Sequence, residues 1–158
     1  MPLENTWMND YANILNQIDE ALGRFIDLLD REAEILDHHP VDIEALLQTC
    51  EHKGTSMVRL DQLERARSAL LESRGLGADR ATSDRAAIKL ELNETWQRII
   101  ERTEAAAQRN RLNGFVIGRR LDFHSRALNF LQTAAGMTMY GPTGRQHNIG
   151  RSSTHLVG

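Results

Sequence analysis

NRLNGF, residues 110–115, is the stretch on which the fold turns. Two asparagines and a glycine are common where a helix ends. A stop here would send the following residues back along the preceding helix, whereas a continuous helix would carry them past it. Heptad phase separates the two. From Trp96 one seven-residue row reads Trp96, Thr103, Asn110, Ile117, His124, Leu131, and a second reads Ile100, Ala107, Gly114, Leu121, Leu128. Both rows keep phase across 110–115, and a loop would normally reset it, so a continuous helix is favoured. A glycine in a helix interior costs ~1 kcal/mol relative to alanine, which long flanking helices can absorb. Asn110 and Gly114 fall on the face read as buried, where another backbone would come close. The alternative is a break near Asn113 that folds the last part back as a fourth helix.

Outward from that segment, the chain has 158 residues, 26% charged and 5% aromatic. That size suits one domain with a modest core, or an elongated bundle. No apolar run approaches the ~18 residues of a membrane span. The N-terminus shows no basic region followed by an apolar stretch, so no signal peptide is expected. Cys50, the single cysteine, excludes an internal disulfide and suits a reducing cytosol. Charge is lopsided: residues 1–64 carry 14 acids against 4 bases, and residues 65–158 carry 15 bases against 8 acids. Halves of opposite sign attract one another when packed side by side. The basic half could instead meet nucleic acid or an acidic partner.

Three prolines, Pro2, Pro40 and Pro142, leave two long proline-free intervals. In the first, Met8, Leu15, Leu22, Leu29 and Leu36 recur every seventh residue. Trp7, Ile14, Ala21, Leu28 and Ile35 flank them, with Tyr11, Ile18 and Phe25 between, a stripe wide enough to face two neighbours. Pro40 disfavours helix at His39, and Asp42 can cap the next helix. That helix, about 41–73, carries Ile43, Leu46, Leu47, Cys50, Met57, Leu60, Leu63, Leu70 and Leu71, with Cys50 read as a small buried hydrophobe. Gly75 or Gly77 can end it, and Thr82, Ser83 or Asp84 can cap a third helix. The expected class is all-α: an antiparallel bundle with helices near 4–37, 41–73 and 83–134. Helices of about 32 residues span roughly 48 Å, and the third, roughly 78 Å, would overhang by about 30 Å. Residues 1–135 would form the bundle, and 136–158, mostly small and polar, a flexible tail.

Little of this pattern carries reaction chemistry. No phosphate-binding glycine loop is present. His38 and His39 are adjacent, and Cys50 and His52 are two apart, so neither pair shares a helix face as metal ligands would. Carboxylates are read onto outer faces, with no catalytic pair. No enzyme, cofactor or metal is therefore expected. Arg109, Arg111, Arg119, Arg120 and Arg126 stand against Asp122 alone, yet no nucleic-acid motif frames them. The stripe Phe115, Ile117, Leu121, Leu128, Leu131, with His124 in its row, is either core or a partner-binding face.

NRLNGFVIGRRLDFHSRALNFLQ followed by MYGPTGRQ resembles the C-terminal half of FlgN-type flagellar export chaperones. The family's Asn-x-x-Asn-Gly segment is Asn110, Asn113 and Gly114; its Ala-Leu-x-x-Leu run is Ala127, Leu128 and Leu131; its Tyr-Gly-x-x-Gly tail is Tyr140, Gly141 and Gly144. HKGTSMVRLDQLERARSALL is similar to the family's second helix at Lys53, Leu60, Leu63 and Arg67. Pro142-Thr143 departs from the acidic residue common there. The resemblance implies a cytoplasmic chaperone for hook–filament junction proteins, which keeps them unassembled and brings them to the export gate. Phe115, Ile117, Leu121, His124, Leu128 and Leu131 would then bind the client, and Tyr140 would dock on the cytoplasmic domain of the gate. Neither nucleic acid nor stable membrane insertion is expected, and a homodimer is compatible. The competing readings are a structural coiled-coil adaptor or self-pairing bundle, and a nucleic-acid-binding bundle.

Overall fold

The structure, a computed structural model, describes residues 2–134. It contains α1 (Pro2–Asp37), α2 (Ile43–Glu72), α3 (Arg80–Lys89) and α4 (Asn93–Ala134), and no strand among the described residues. The tail expected at 136–158, with Tyr140, Gly141 and Gly144, lies outside the described residues. The chain divides into two compact units, Met1–Ile117 and Gly118–Gly158.

In the first unit, α1 is the central element. Tyr11, Leu15, Ile18, Leu22, Phe25, Leu29 and Leu36 are buried, so the heptad read from sequence is the core stripe. Full burial of such a side chain contributes about 1.5–3 kcal/mol. Against these pack Leu63 and Leu71 of α2, Ala86 and Ala87 of α3, and Trp96 and Ile99 of α4. Only Met8 leaves the stripe, 39% exposed near the N-terminal end. Inter-helix bonds set the directions. Trp7 bonds to the Leu70 carbonyl and Lys53 to Glu32, so α1 and α2 are antiparallel. Arg98 bonds to Asp19 and Arg109 to Asp30, so α1 and α4 run the same way.

These last pairs show where the lopsided charge goes. Acids of α1 meet bases of α4: Asp19 receives Arg98 and Arg102 at 2.9 Å each, and Asp30 receives Arg109 at 2.7 Å. Asp19 is buried, but all three arginines are about 40% exposed, so solvent screening leaves these pairs on the order of 1 kcal/mol each. They align the helices more than they hold them.

Helix ends follow the chemistry of caps. Asp42 accepts from the Ala45 amide at 3.0 Å, as expected of an N-cap. Gly75, at φ +68°, takes the left-handed position after α2, where Leu76 N–H donates to Leu71 O and Gly75 N–H to Glu72 O. The third helix departs from expectation. Its cap is Asp79, whose Oδ1 accepts from Thr82 N at 3.0 Å, not Thr82, Ser83 or Asp84. It also does not run unbroken from 83 to 134, because residues 90–92 interrupt it. Leu92 N–H donates to Ala87 O and Glu91 N–H to Ile88 O, with Glu91 at φ +59°. This is the same terminal motif as at Gly75, built on a residue with a side chain. Leu92 packs into the core beside Ala87, and that burial offsets the ~1 kcal/mol or more of left-handed strain.

Beyond that break, α4 passes through 110–115 without interruption, as the phase argument required. Its buried row differs from the two rows read from sequence. Ile99, Ala106 and Asn113 are buried, whereas Asn110 and Gly114 are exposed. A Cβ built on Gly114 would meet nothing within 4 Å. No backbone approaches it, so Gly114→Ala is expected to raise stability by about 0.5–1 kcal/mol through helix propensity alone. Urea unfolding checks this; a loss of stability would mean the glycine makes room for something.

Two other expectations are corrected. Cys50 is exposed, and so are Ile43, Leu47 and Met57 of the assumed α2 stripe. The helix meets α1 instead through a narrower row that includes Thr49, Leu63, Arg67 and Leu71. Carboxylates do not all lie on outer faces, since Glu32 is fully buried and Asp19 nearly so.

Around α3, two carboxylates sit below their usual range. The Thr82 amide holds Asp79 down, and the Trp96 indole N–H, donating at 2.7 Å, holds Asp84 down with help from Arg80. Both carboxyls are thus more acidic folded than unfolded. The stability they supply is present above the ordinary value of 3.8 and lost as pH falls through their folded values. Asp84→Asn keeps an acceptor for Trp96 but cannot titrate, so thermal stability of this variant should fall less steeply than wild type below about pH 4. Parallel acid limbs would remove Asp84 from the account.

Candidate partner-binding surface

The second unit's described part, residues 118–134, is the C-terminal stretch of α4. Helix spacing puts Leu121, His124, Leu128 and Leu131 in one band along it. Leu121, Leu128 and Leu131 are 65%, 59% and 61% exposed, and His124 is exposed as well. Such side chains at i, i+3, i+7 and i+10 are the pattern by which a helix packs on a helix or in a groove. Phe115 and Ile117, grouped with them in the sequence reading, belong to the first unit, where Phe115 is 65% exposed and Ile117 partly buried.

The sequence reading missed a second apolar row on the same segment. Phe123 and Phe130 are 71% and 72% exposed, and Phe123 meets His124 edge-on at 6.1 Å between centroids. Their seven-residue spacing is the signal that would have revealed them.

Asn113 has a structural task. Its Nδ2 donates to the Leu29 carbonyl and to Glu32 Oε2, both at 2.8 Å. Lys53 closes on the same carboxylate, 2.9 Å to Oε2 and 3.0 Å to Oε1, and Cys50 Sγ lies 3.8 Å from Oε1. Side chains of α1, α2 and α4 thus meet in a polar knot around the buried Glu32 carboxylate. Alternating charges on α1 hid Glu32, because periodicity does not single out one acid among many.

A groove of about 500 Å³ in the first unit is lined largely by apolar side chains, Ile18, Leu22, Leu60, Trp96 and Ile99 among them. Three of its polar residues, Glu64, Arg67 and Ser83, engage one another. Arg67 lies 5.0 Å from the Trp96 ring centroid and bonds to Ser83 at 2.9 Å and to Glu64 at 2.7 Å. Burial works against the Arg67 charge, but the Glu64 carboxylate outweighs it and holds the guanidinium above its ordinary value. That arrangement fixes a helix junction and offers no nucleophile beside a base. Among the described residues, no group of His, Cys, Asp or Glu could hold a metal ion. None of the described helices is long and apolar enough to cross a membrane. Of the arginine segment, Arg109 is engaged by Asp30 within the bundle.

The FlgN protein family matches residues 4–148. The flagella synthesis protein FlgN of Escherichia coli is 24% identical over 151 residues, covering 96% of either chain. Its Salmonella typhimurium counterpart is 27% identical over 138 residues, 87% of this chain and 91% of that one. The protein of the same name in Proteus mirabilis is 26% identical over 131 residues, 83% of each chain. No solved structure matches the chain at a significant level. With the match running through α1 to α4 and into the tail, the chain belongs to the FlgN family.

Proposed function

We propose that this protein is a cytoplasmic, non-enzymatic chaperone of flagellar assembly that binds hook–filament junction proteins before export. The exposed leucine row of residues 118–134 carries the proposal. A client whose terminal helices await assembly exposes an apolar stripe, and a helix bearing a matching row covers it. Leu121, His124, Leu128 and Leu131 would form the contact, with Phe115 and Ile117 as flanking residues. The names of the relatives, flagella synthesis proteins, support a place in that process. Bonding of Asp19 and Asp30 to arginines of α4 supports this reading over nucleic-acid binding, because basic charge is used internally.

Co-purification of the full chain with candidate junction proteins tests the reading. A stoichiometric complex with at least one is expected, and none with any would overturn it. Tyr140 is proposed as the residue that docks the loaded chaperone on the cytoplasmic domain of the export gate. A tyrosine offers an apolar ring and a hydroxyl in one side chain, enough to anchor a small interface. Tyr140→Ala should leave folding and client binding intact while lowering gate affinity about tenfold or more, a cost typical of an interface anchor. Unchanged affinity with client bound would relieve Tyr140 of the role.

A further inference from the structure

The leucine row occupies one flank of residues 118–134, and Phe123 and Phe130 occupy another. Their rings are the most exposed large apolar side chains of the described chain, and they stand seven residues apart. Two helical turns separate them, about 10 Å along the axis. Arg119 and Arg126, also seven apart and both exposed, each precede a phenylalanine by four residues, so they border the aromatic line. Asp122 is the single acid of 118–134, against Arg119, Arg120 and Arg126. Ser125 and Asn129 complete a polar strip on the far side. Phenylalanines, arginine border and polar strip together make a flank suited to lie against an interface.

Charge decides which surface the aromatic line meets. Its arginine border calls for an anionic partner, and its rings call for one with an apolar phase just beneath. A nucleic-acid strand would supply the charge. Stacked bases, however, recur at closer spacing than two helical turns, and His124, the aromatic beside Phe123, lies edge-on and so does not continue a stack. A bilayer supplies phosphate at the surface and acyl chains below it, and accepts rings at any spacing. From this juxtaposition we infer that the Phe123–Phe130 face, rimmed by Arg119 and Arg126, is a contact for anionic membrane surfaces. The contact is shallow, weak and reversible. Two arginines and two rings fall short of a stable anchor, and none of the described helices is long and apolar enough to cross a membrane. The inference does not depend on the client reading. It uses the flank that the leucine row leaves uncovered, so a bound client and a membrane need not compete.

The test is co-sedimentation of the full chain with vesicles of phosphatidylcholine alone or mixed with phosphatidylglycerol, at low and high salt. Partitioning at least about tenfold stronger onto the anionic vesicles is expected, with loss at high salt. Phe123→Ser/Phe130→Ser and Arg119→Gln/Arg126→Gln should each lower it about tenfold, with helix content unchanged by circular dichroism. Both native tryptophans lie in the first unit, so Phe130→Trp adds a local reporter. Its emission should shift to the blue with anionic vesicles and stay put with neutral ones. Equal sedimentation with both lipids, or full binding by the double serine variant, would overturn the inference. So would salt-sensitive retention of a single-stranded RNA without vesicle binding, which would reassign the face to nucleic acid.

Discussion

Leu128→Asp is expected to weaken client binding by about two orders of magnitude or more while leaving the fold intact. The leucine is 59% exposed, so a carboxylate there stays hydrated in the free protein. Exposed substitutions of this kind change stability by roughly 0.5 kcal/mol. In the complex the same carboxylate would lie against the client's apolar stripe without a partner, at a cost of several kcal/mol. Each 1.4 kcal/mol is about a tenfold change in affinity, so stability and binding should separate clearly. Leu121→Asp, at 65% exposure, should behave the same way. Isothermal titration with a junction protein, alongside thermal melts of the free variants, provides the measurement. A variant that unfolds by itself would make the row core, and one that binds normally would move the client elsewhere.

Lys53→Met should produce the largest loss of stability of any single change discussed for this chain, about 3–5 kcal/mol. It removes the cation from a carboxylate whose side chain has no exposed surface, while Lys53 itself is 15% exposed. Such a site costs little when intact and much when half of it is removed. Asn113, and more weakly the Cys50 thiol, would still donate to Glu32, but neutral donors do not replace a cation gripping both oxygens. Glu32→Met/Lys53→Met replaces the pair by apolar groups of similar volume and should recover most of the deficit. Asn113→Leu, which deletes both of its side-chain hydrogen bonds, should cost about 1–3 kcal/mol. Urea unfolding of the full chain decides the matter. A Lys53→Met cost below about 1 kcal/mol would mean that water reaches Glu32 and the knot is not a buried ion pair.

The exposed leucine row was readable because amphipathic spacing is a property of a single helix. Leu121, Leu128 and Leu131 keep phase whatever surrounds them, so the sequence placed them on one face, though not whether that face is covered. Phe123 and Phe130 were equally available and passed over, because attention to one seven-residue row hides the next. Asn110, Asn113 and Gly114 were readable as a motif but not as three different environments. Of the three only Asn113 is buried, since only it faces Leu29 and Glu32 of α1.

What the sequence by itself determined is the local part of the fold. Pro40 and Asp42 set the turn between α1 and α2 because one is poorly compatible with the helix interior and the other supplies a cap oxygen. Gly75 closes α2 because a glycine takes positive φ without strain, although Gly77 offered the same freedom two residues later. The heptad of α1 chose its own buried face, being the most apolar stripe of the chain. Tertiary structure decided the rest. Residues 90–92 contain neither glycine nor proline, and the break there exists because burying Leu92 and Trp96 against α1 outweighs the strain at Glu91. In α4 three neighbouring rows are similarly apolar, so helical period cannot rank them. The row Ile99, Ala106, Asn113 is buried because it is the one that finds partners on α1, apolar neighbours for Ile99 and Ala106 and the Leu29 carbonyl and Glu32 for Asn113. Glu32 is buried for the same reason: a charge enters a core only where another helix brings its counter-charge, and no single segment of sequence contains that partner.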